Sequence, residues 1–82
     1  MTGRVTLDPE AVLDLLKTHF DVPADTGVDT RFESLDLDSL VLIELSVILA
    51  KRYGVEVAGD ELAAAGTPAG TAELLSEKGV TG

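Results

Sequence analysis

Apolar residues recur through this chain at three- and four-residue spacing, the repeat of one helical face, in segments bounded by their own start and stop residues. The pattern predicts an all-α fold. A first helix opens with Asp8 as cap and Pro9 in the first helical position, and Leu7 is placed to staple onto Val12. Its stripe is Leu13, Leu16 and Phe20, with Val12 beside them, and Pro23 closes the region. A long connection follows, "DVPADTGVDTRFESLDLD". Structureless connections beyond about 12–15 residues are uncommon in compact domains and are often functional. Phe32 and Leu35 are expected to pin this one to the core. A central helix runs from Ser39 to Arg52 or Tyr53 and is stopped by Gly54. "VEV" is a short extended link, and Asp60 to Ala65 a helix of one or two turns. Thr67 caps a last helix with Pro68 in first position and Gly79 past its end. Gly70 and Thr71, both poor helix formers, make that helix intrinsically weak. The expectation is three main helices, one short helix and a long first loop, in a single domain over 1–82 with a folded core over 7–79.

At this length folding buries only about 60–65% of the unfolded chain's surface, so the core is modest. Without cysteine the chain has neither a disulfide framework nor a thiolate metal site. The carboxylates of "DLD" at 36–38 and "DVPADTGVD" at 21–29 lack the spacing of a calcium loop, and no metal is expected. A net charge of −9 argues against nucleic acid, whose recognition needs a basic face. It suits basic partner surfaces, or simply keeps a small protein soluble. Glu44 and then Lys51–Arg52 interrupt the longest apolar run well short of the roughly 18 residues of a membrane span. "MTGRVTLDPE" lacks the apolar stretch of a signal peptide. The expected location is the cytoplasm, with no membrane contact.

On a helical wheel the central helix puts Leu42, Leu45, Leu49 and Tyr53 on one side, with Ser46 near them, as an ordinary core stripe. Leu40, Glu44, Val47 and Lys51 fall opposite, Val41 and Ile48 flank one edge, and Ile43 the other. The apolar residues exceed what one core face needs. Either the helix is buried all round, which would bury Glu44 and Lys51 at high cost, or the second face docks other proteins. Ser39 can be read plainly, as the first residue of a helix capped by Asp38. As a hydrolytic nucleophile it lacks support. The single histidine, His19, lies on the first helix among leucines, where a partly buried structural role is expected, and there is no G-x-S-x-G. No catalytic residue is assigned.

These residues, taken together, resemble the acyl carrier protein family over nearly the whole chain. The resemblance rests on "DSL" at Asp38–Ser39–Leu40, "EL" at Glu44–Leu45, "FESL" at Phe32–Leu35, "RYGVEV" after the central helix, and Thr67 opening the last helix. It implies a four-helix bundle with a long first loop. It implies that Ser39 is the site where a phosphopantetheinyl transferase attaches 4′-phosphopantetheine from coenzyme A as a phosphodiester, the thiol of that arm then carrying acyl groups as thioesters. Ser39 is then a modification site on a non-catalytic carrier, with its oxygen exposed near the positive end of the helix dipole. One departure stands out. The family usually has a glycine two residues before the Asp of D-S-L, where this chain has Asp36, and aspartate tolerates left-handed backbone better than most residues.

The docking set is Asp38, Leu40, Val41, Glu44, Val47 and Ile48. Fatty-acid carriers bear many acids along the central helix; this one bears Glu44 alone and then Lys51–Arg52. That looks more like carriers of polyketide or mixed polyketide–nonribosomal peptide pathways. The length counted from Met1 is that expected of a discrete carrier acting as a monomer. The partners implied are the transferase, an acyl- or aminoacyl-loading enzyme, and a ketosynthase, acyltransferase or other pathway enzyme. A fatty-acid carrier, an aminoacyl or peptidyl carrier, and an unmodified helical interaction module are the alternatives.

Overall fold

The computed structural model describes residues 7–80. The chain ends included in the single-domain expectation, 1–6 and 81–82, lie outside the described residues. Among the described residues there are four α-helices and one 3-10 turn: α1 (Pro9–His19), the 3-10 turn (Phe32–Leu35), α2 (Ser39–Tyr53), α3 (Gly59–Ala65) and α4 (Pro68–Glu77). The fold is an all-α bundle.

The start residues act as their chemistry requires. Asp8 accepts a hydrogen bond from Glu10 N at 3.0 Å, Asp38 from Val41 N at 3.0 Å, and the Thr67 hydroxyl from Gly70 N at 2.9 Å. Gly54 ends α2 in left-handed backbone, φ 67°, a conformation that strains any residue with a Cβ. α3 begins one residue earlier than the sequence suggests. Its cap, Ala58, has no side-chain oxygen, and Glu61 closes the turn by accepting from Ala58 N at 3.0 Å.

The core gathers Leu7, Val12, Leu15, Leu16, Phe32, Leu42, Leu45, Leu49, Val57, Leu62, Ala72, Leu75 and Val80. Four details differ from the sequence reading. Leu15 is buried as well as Leu13 and Leu16, whereas Phe20 lies past the end of α1 and is half-buried. His19 is exposed rather than partly buried, because α1 turns its Val12–Leu16 face inward and ends on the histidine. Leu37, not Leu35, joins Phe32 against the core. The chain reverses at left-handed Asp36, and Leu37 N donates to the Phe32 carbonyl at 3.2 Å, which delivers Leu37 beside that ring. Finally, the core reaches Val80, one residue past its expected limit. Gly79 takes φ 98°, Gly79 N donates to Ser76 O, and Val80 N donates to Leu75 O, so the end of α4 folds Val80 onto Leu75.

The weak last helix is held by its surroundings. Thr71 is fully buried and its hydroxyl donates to the Thr67 carbonyl at 2.8 Å. Gly70 lies so close to α3 that a Cβ there would stand 2.5 Å from the Ala65 carbonyl oxygen. The long connection is tied to the same junction: Phe32 N donates to Gly66 O at 2.8 Å, and Ala69 N to Val28 O at 2.9 Å. Those two bonds place the end of the connection, and with it the start of α2, against α3.

Candidate functional site

Ser39 is the first residue of α2 and is exposed. Three local features set its position. Leu37 anchors the chain two residues before it, Asp36 makes the turn at φ 60° and ψ 30°, and Asp38 caps the helix through Val41 N. Asp36 is the one non-glycine residue at positive φ among the described residues. It takes the left-handed backbone for which glycine is best suited, and aspartate is among the few other residues that visit it routinely.

The other serines differ from Ser39 in what surrounds them. Ser46 donates to Ile43 O at 2.6 Å, and Ser76 accepts from Leu7 N while donating to Ala72 O, so both hydroxyls are engaged with backbone. Ser34 is exposed within the 3-10 turn and has no helix behind it. The Ser39 hydroxyl and the amides of Ser39 and Leu40 make no hydrogen bond among the described residues. Two unpartnered amides and the positive helix end favour a negative group at this point. Asp38 opposes it with like charge, and the helix end, worth about 0.3–1 kcal/mol, works against that repulsion.

Beside Ser39 lies a cleft of about 220 Å³ lined by Leu42, Ile43, Ala58, Gly59, Asp60 and Ala63. Gly59 makes the approach of α3 possible: a Cβ there would meet Ile43 Cγ1 at 3.2 Å. An exposed hydroxyl, free amides at a helix start and an adjoining, mostly apolar cleft fit a phosphodiester carrying a long flexible arm.

The docking set divides. Leu40 is 72% exposed and Val47 48%, and Asp38 and Glu44 are exposed too. Val41 and Ile48 are half-buried, and Ile48 packs against the core. Ile43, absent from the expected set, is 51% exposed. The exposed apolar face is therefore Leu40, Ile43 and Val47, turned toward the azimuth of Ser39. The signal was present in the spacing, since Ile43 and Val47 follow Ser39 at one and two helical turns. Helix α2 is thus not buried all round.

Comparison with known proteins gives the family. A family profile described as "Phosphopantetheine attachment site" matches residues 10–75. The chain is 39% identical over 79 residues to polyketide-8 synthase acyl carrier protein 2 of Streptomyces avermitilis, covering 94% of this chain and 91% of that one. It is 32% identical over 80 residues to siderophore peptide synthetase fer3 of Mycosarcoma maydis, covering 95% of this chain but 2% of the synthetase. No solved structure gives a significant match. The chain belongs to the phosphopantetheine-binding carrier family, whose members hold acyl cargo on a covalently attached 4′-phosphopantetheine arm. Among the described residues no helix is long and apolar enough to cross a membrane, and no group of histidines and carboxylates is placed to hold a metal ion.

Proposed function

We propose that Ser39 is the attachment point of the arm and that this protein is a non-catalytic acyl carrier of polyketide-type biosynthesis. The observation that carries the assignment is the exposed, unpartnered Ser39 hydroxyl at the start of α2, inside the matched region. In the attachment step a phosphopantetheinyl transferase removes the hydroxyl proton. Ser39 Oγ bonds to the phosphorus of coenzyme A that bears pantetheine, the pyrophosphate bond breaks, and adenosine 3′,5′-bisphosphate leaves. When bound, the arm supplies a thiol that accepts acyl groups as thioesters. The chain's own part is to hold and present: the Ser39 and Leu40 amides and the α2 dipole would favour a phosphate on Ser39, and the cleft against α3 would offer apolar surface beside it.

Leu40, Ile43 and Val47 form the apolar centre of the surface that partner enzymes meet, with Asp38 and Glu44 as its charged rim. Those partners are the transferase, a loading enzyme, and a ketosynthase, acyltransferase or other pathway enzyme. The polyketide assignment draws on near full-length similarity to a carrier so named and on the sparse acids of α2. The likeness to a peptide synthetase supports a second reading, in which the load is aminoacyl. The chain is a single carrier domain over 1–82, its described core over 7–80, and works as a monomer, since copies at −9 repel one another. It works in the cytoplasm, where coenzyme A supplies the arm.

The test is mass spectrometry after incubation with coenzyme A and a broad-specificity transferase. Wild type gains one arm, on Ser39, and Ser39→Ala gains none while melting like wild type. An unmodified wild type, or modification at Ser34 or Ser46, overturns the assignment. Loading assays with malonyl and aminoacyl donors then separate the two readings.

A further inference from the structure

The last turns of α1 and α2 line one groove on the side of α2 away from α3. His19 ends α1, and Lys51 and Arg52 lie in the last turn of α2. The three line a single open groove of about 540 Å³ whose apolar floor is Leu15 and Ile48, and no carboxylate lines it. In a chain of net −9 this is unexpected. Of the ion pairs among the described residues, Arg31 takes Glu33 and Lys78 takes Glu61, while Lys51 and Arg52 take none. The positions three and four residues before Lys51 are Ile48 and Val47, and those before Arg52 are Leu49 and Ile48, so the helix offers neither cation an acid of its own. Arg52 instead stands 6.0 Å from the centre of the Tyr53 ring, the outer limit of cation–π contact.

Lys51 and Arg52 suit the negative end of α2. That account does not require the two ends to share one groove, nor the groove to keep an apolar floor beneath unpaired charges. We propose that the groove between the C-terminal halves of α1 and α2 is a second docking surface, which takes an acidic protein segment carrying a protruding apolar side chain. The apolar side chain covers the exposed part of Ile48, with buried Leu15 beneath it, and its flanking carboxylates pair with Lys51 and Arg52. The charge pattern selects the occupant. Nucleic acid and anionic membranes present extended negative surfaces that the rest of this acidic chain repels. A short acidic segment feels mainly the local cations, because salt screens beyond about 10 Å at 0.1 M. Arg52 lies thirteen positions after Ser39, a rise of about 20 Å. A partner in this groove can therefore stay bound while Ser39 and the Leu40–Val47 face engage an enzyme, which makes the groove suited to tethering. The inference does not depend on what Ser39 carries.

The experiment titrates the isotopically labelled full chain with a synthetic peptide in which Asp and Glu flank a Leu–Phe pair. Matched peptides with serine or lysine flanks serve as controls, and backbone amide shifts are read by NMR. The expected shifts fall on the last turns of α1 and α2, with little change from Ser39 to Ile43, and binding weakens as salt rises. Lys51→Gln with Arg52→Gln should weaken binding about tenfold, as should charge reversal at the same sites more strongly. His19→Gln, on the other helix, should shift the same set of amides less. Transferase modification and the melting temperature should stay as in wild type. Equal binding of the serine-flanked peptide, shifts confined to the Ser39 face, or no shift at all overturns the proposal. So does tighter binding to phosphatidylglycerol vesicles, to an oligonucleotide or to a second copy of the chain than to the acidic peptide.

Discussion

Gly70→Ala sets helix propensity against packing. Glycine inside a helix is about 1 kcal/mol worse than alanine, so α4 taken alone would gain by the change. In the bundle the new Cβ would stand 2.5 Å from the Ala65 carbonyl oxygen, 3.2 Å from its carbonyl carbon and 3.2 Å from the Thr67 hydroxyl. Carbon and carbonyl oxygen normally approach no closer than about 3.3 Å. The obstacle is backbone at the end of α3, which cannot rotate away. Relief requires α3 and α4 to separate by a large fraction of an ångström, at about 1–3 kcal/mol for overpacking. The same movement loosens the Thr67 cap on Gly70 N, at about 1 kcal/mol more. After the propensity gain the net is a loss of about 1–3 kcal/mol. At roughly 4–8 °C per kcal/mol for a domain of this size, the melting temperature should fall by roughly 5–20 °C. Thermal melts followed by circular dichroism, with urea titrations to check that the slope is unchanged, measure it. Gly27→Ala, whose Cβ would have its nearest neighbour at 3.8 Å, serves as the control with little effect. A Gly70→Ala protein that melts at or above wild type would refute the close approach of α3 and α4.

The two faces of α2 should respond differently. Leu49→Ala, at a fully buried position, should lower stability by about 2–5 kcal/mol in urea titrations, whereas Val47→Asp should melt close to wild type and slow transferase modification. Asp36→Ala replaces one of the few residue types that tolerate left-handed backbone and should lower stability by about 1 kcal/mol in urea titrations. Asp36→Gly should be within about 0.5 kcal/mol of wild type, relief of strain offsetting the greater freedom of the unfolded chain. The hydrogen bond from Ala58 N, and then the Lys78 ammonium, hold the Glu61 carboxyl below the ordinary glutamate range. Its contribution is therefore present above the ordinary glutamate value and is lost as pH falls through the lowered one. The gap in melting temperature between wild type and Glu61→Gln should be widest near neutral pH and close in acid.

The sequence by itself determined the helical elements and marked out Ser39 as the candidate site. Caps and stops are local chemistry, so Asp8, Asp38, Thr67, Pro9, Pro68 and Gly54 could be read without neighbours. Each acts in the structure as its side chain or backbone freedom requires. The core stripe Leu42, Leu45 and Leu49 was equally plain, because a helix with one buried face repeats at its own period. Ser39 stood out through "DSL" and its position at a helix start. What depends on the approach of one element to another could not be read. Ile48 and Ile43 are chemically alike and lie on opposite edges of one helix; α1 and the core cover part of the first, and the second is left open beside the α3 cleft. Leu35 and Leu37 are likewise interchangeable in sequence until the backbone reverses at Asp36 and turns Leu37 to Phe32. Gly70 reads as a defect in a helix and becomes a requirement only when α3 lies against it. Hydrophobicity is a property of a residue, but exposure is a property of its surroundings. Which apolar side chains of α2 remain available to a partner is therefore decided only when the other helices have taken their share.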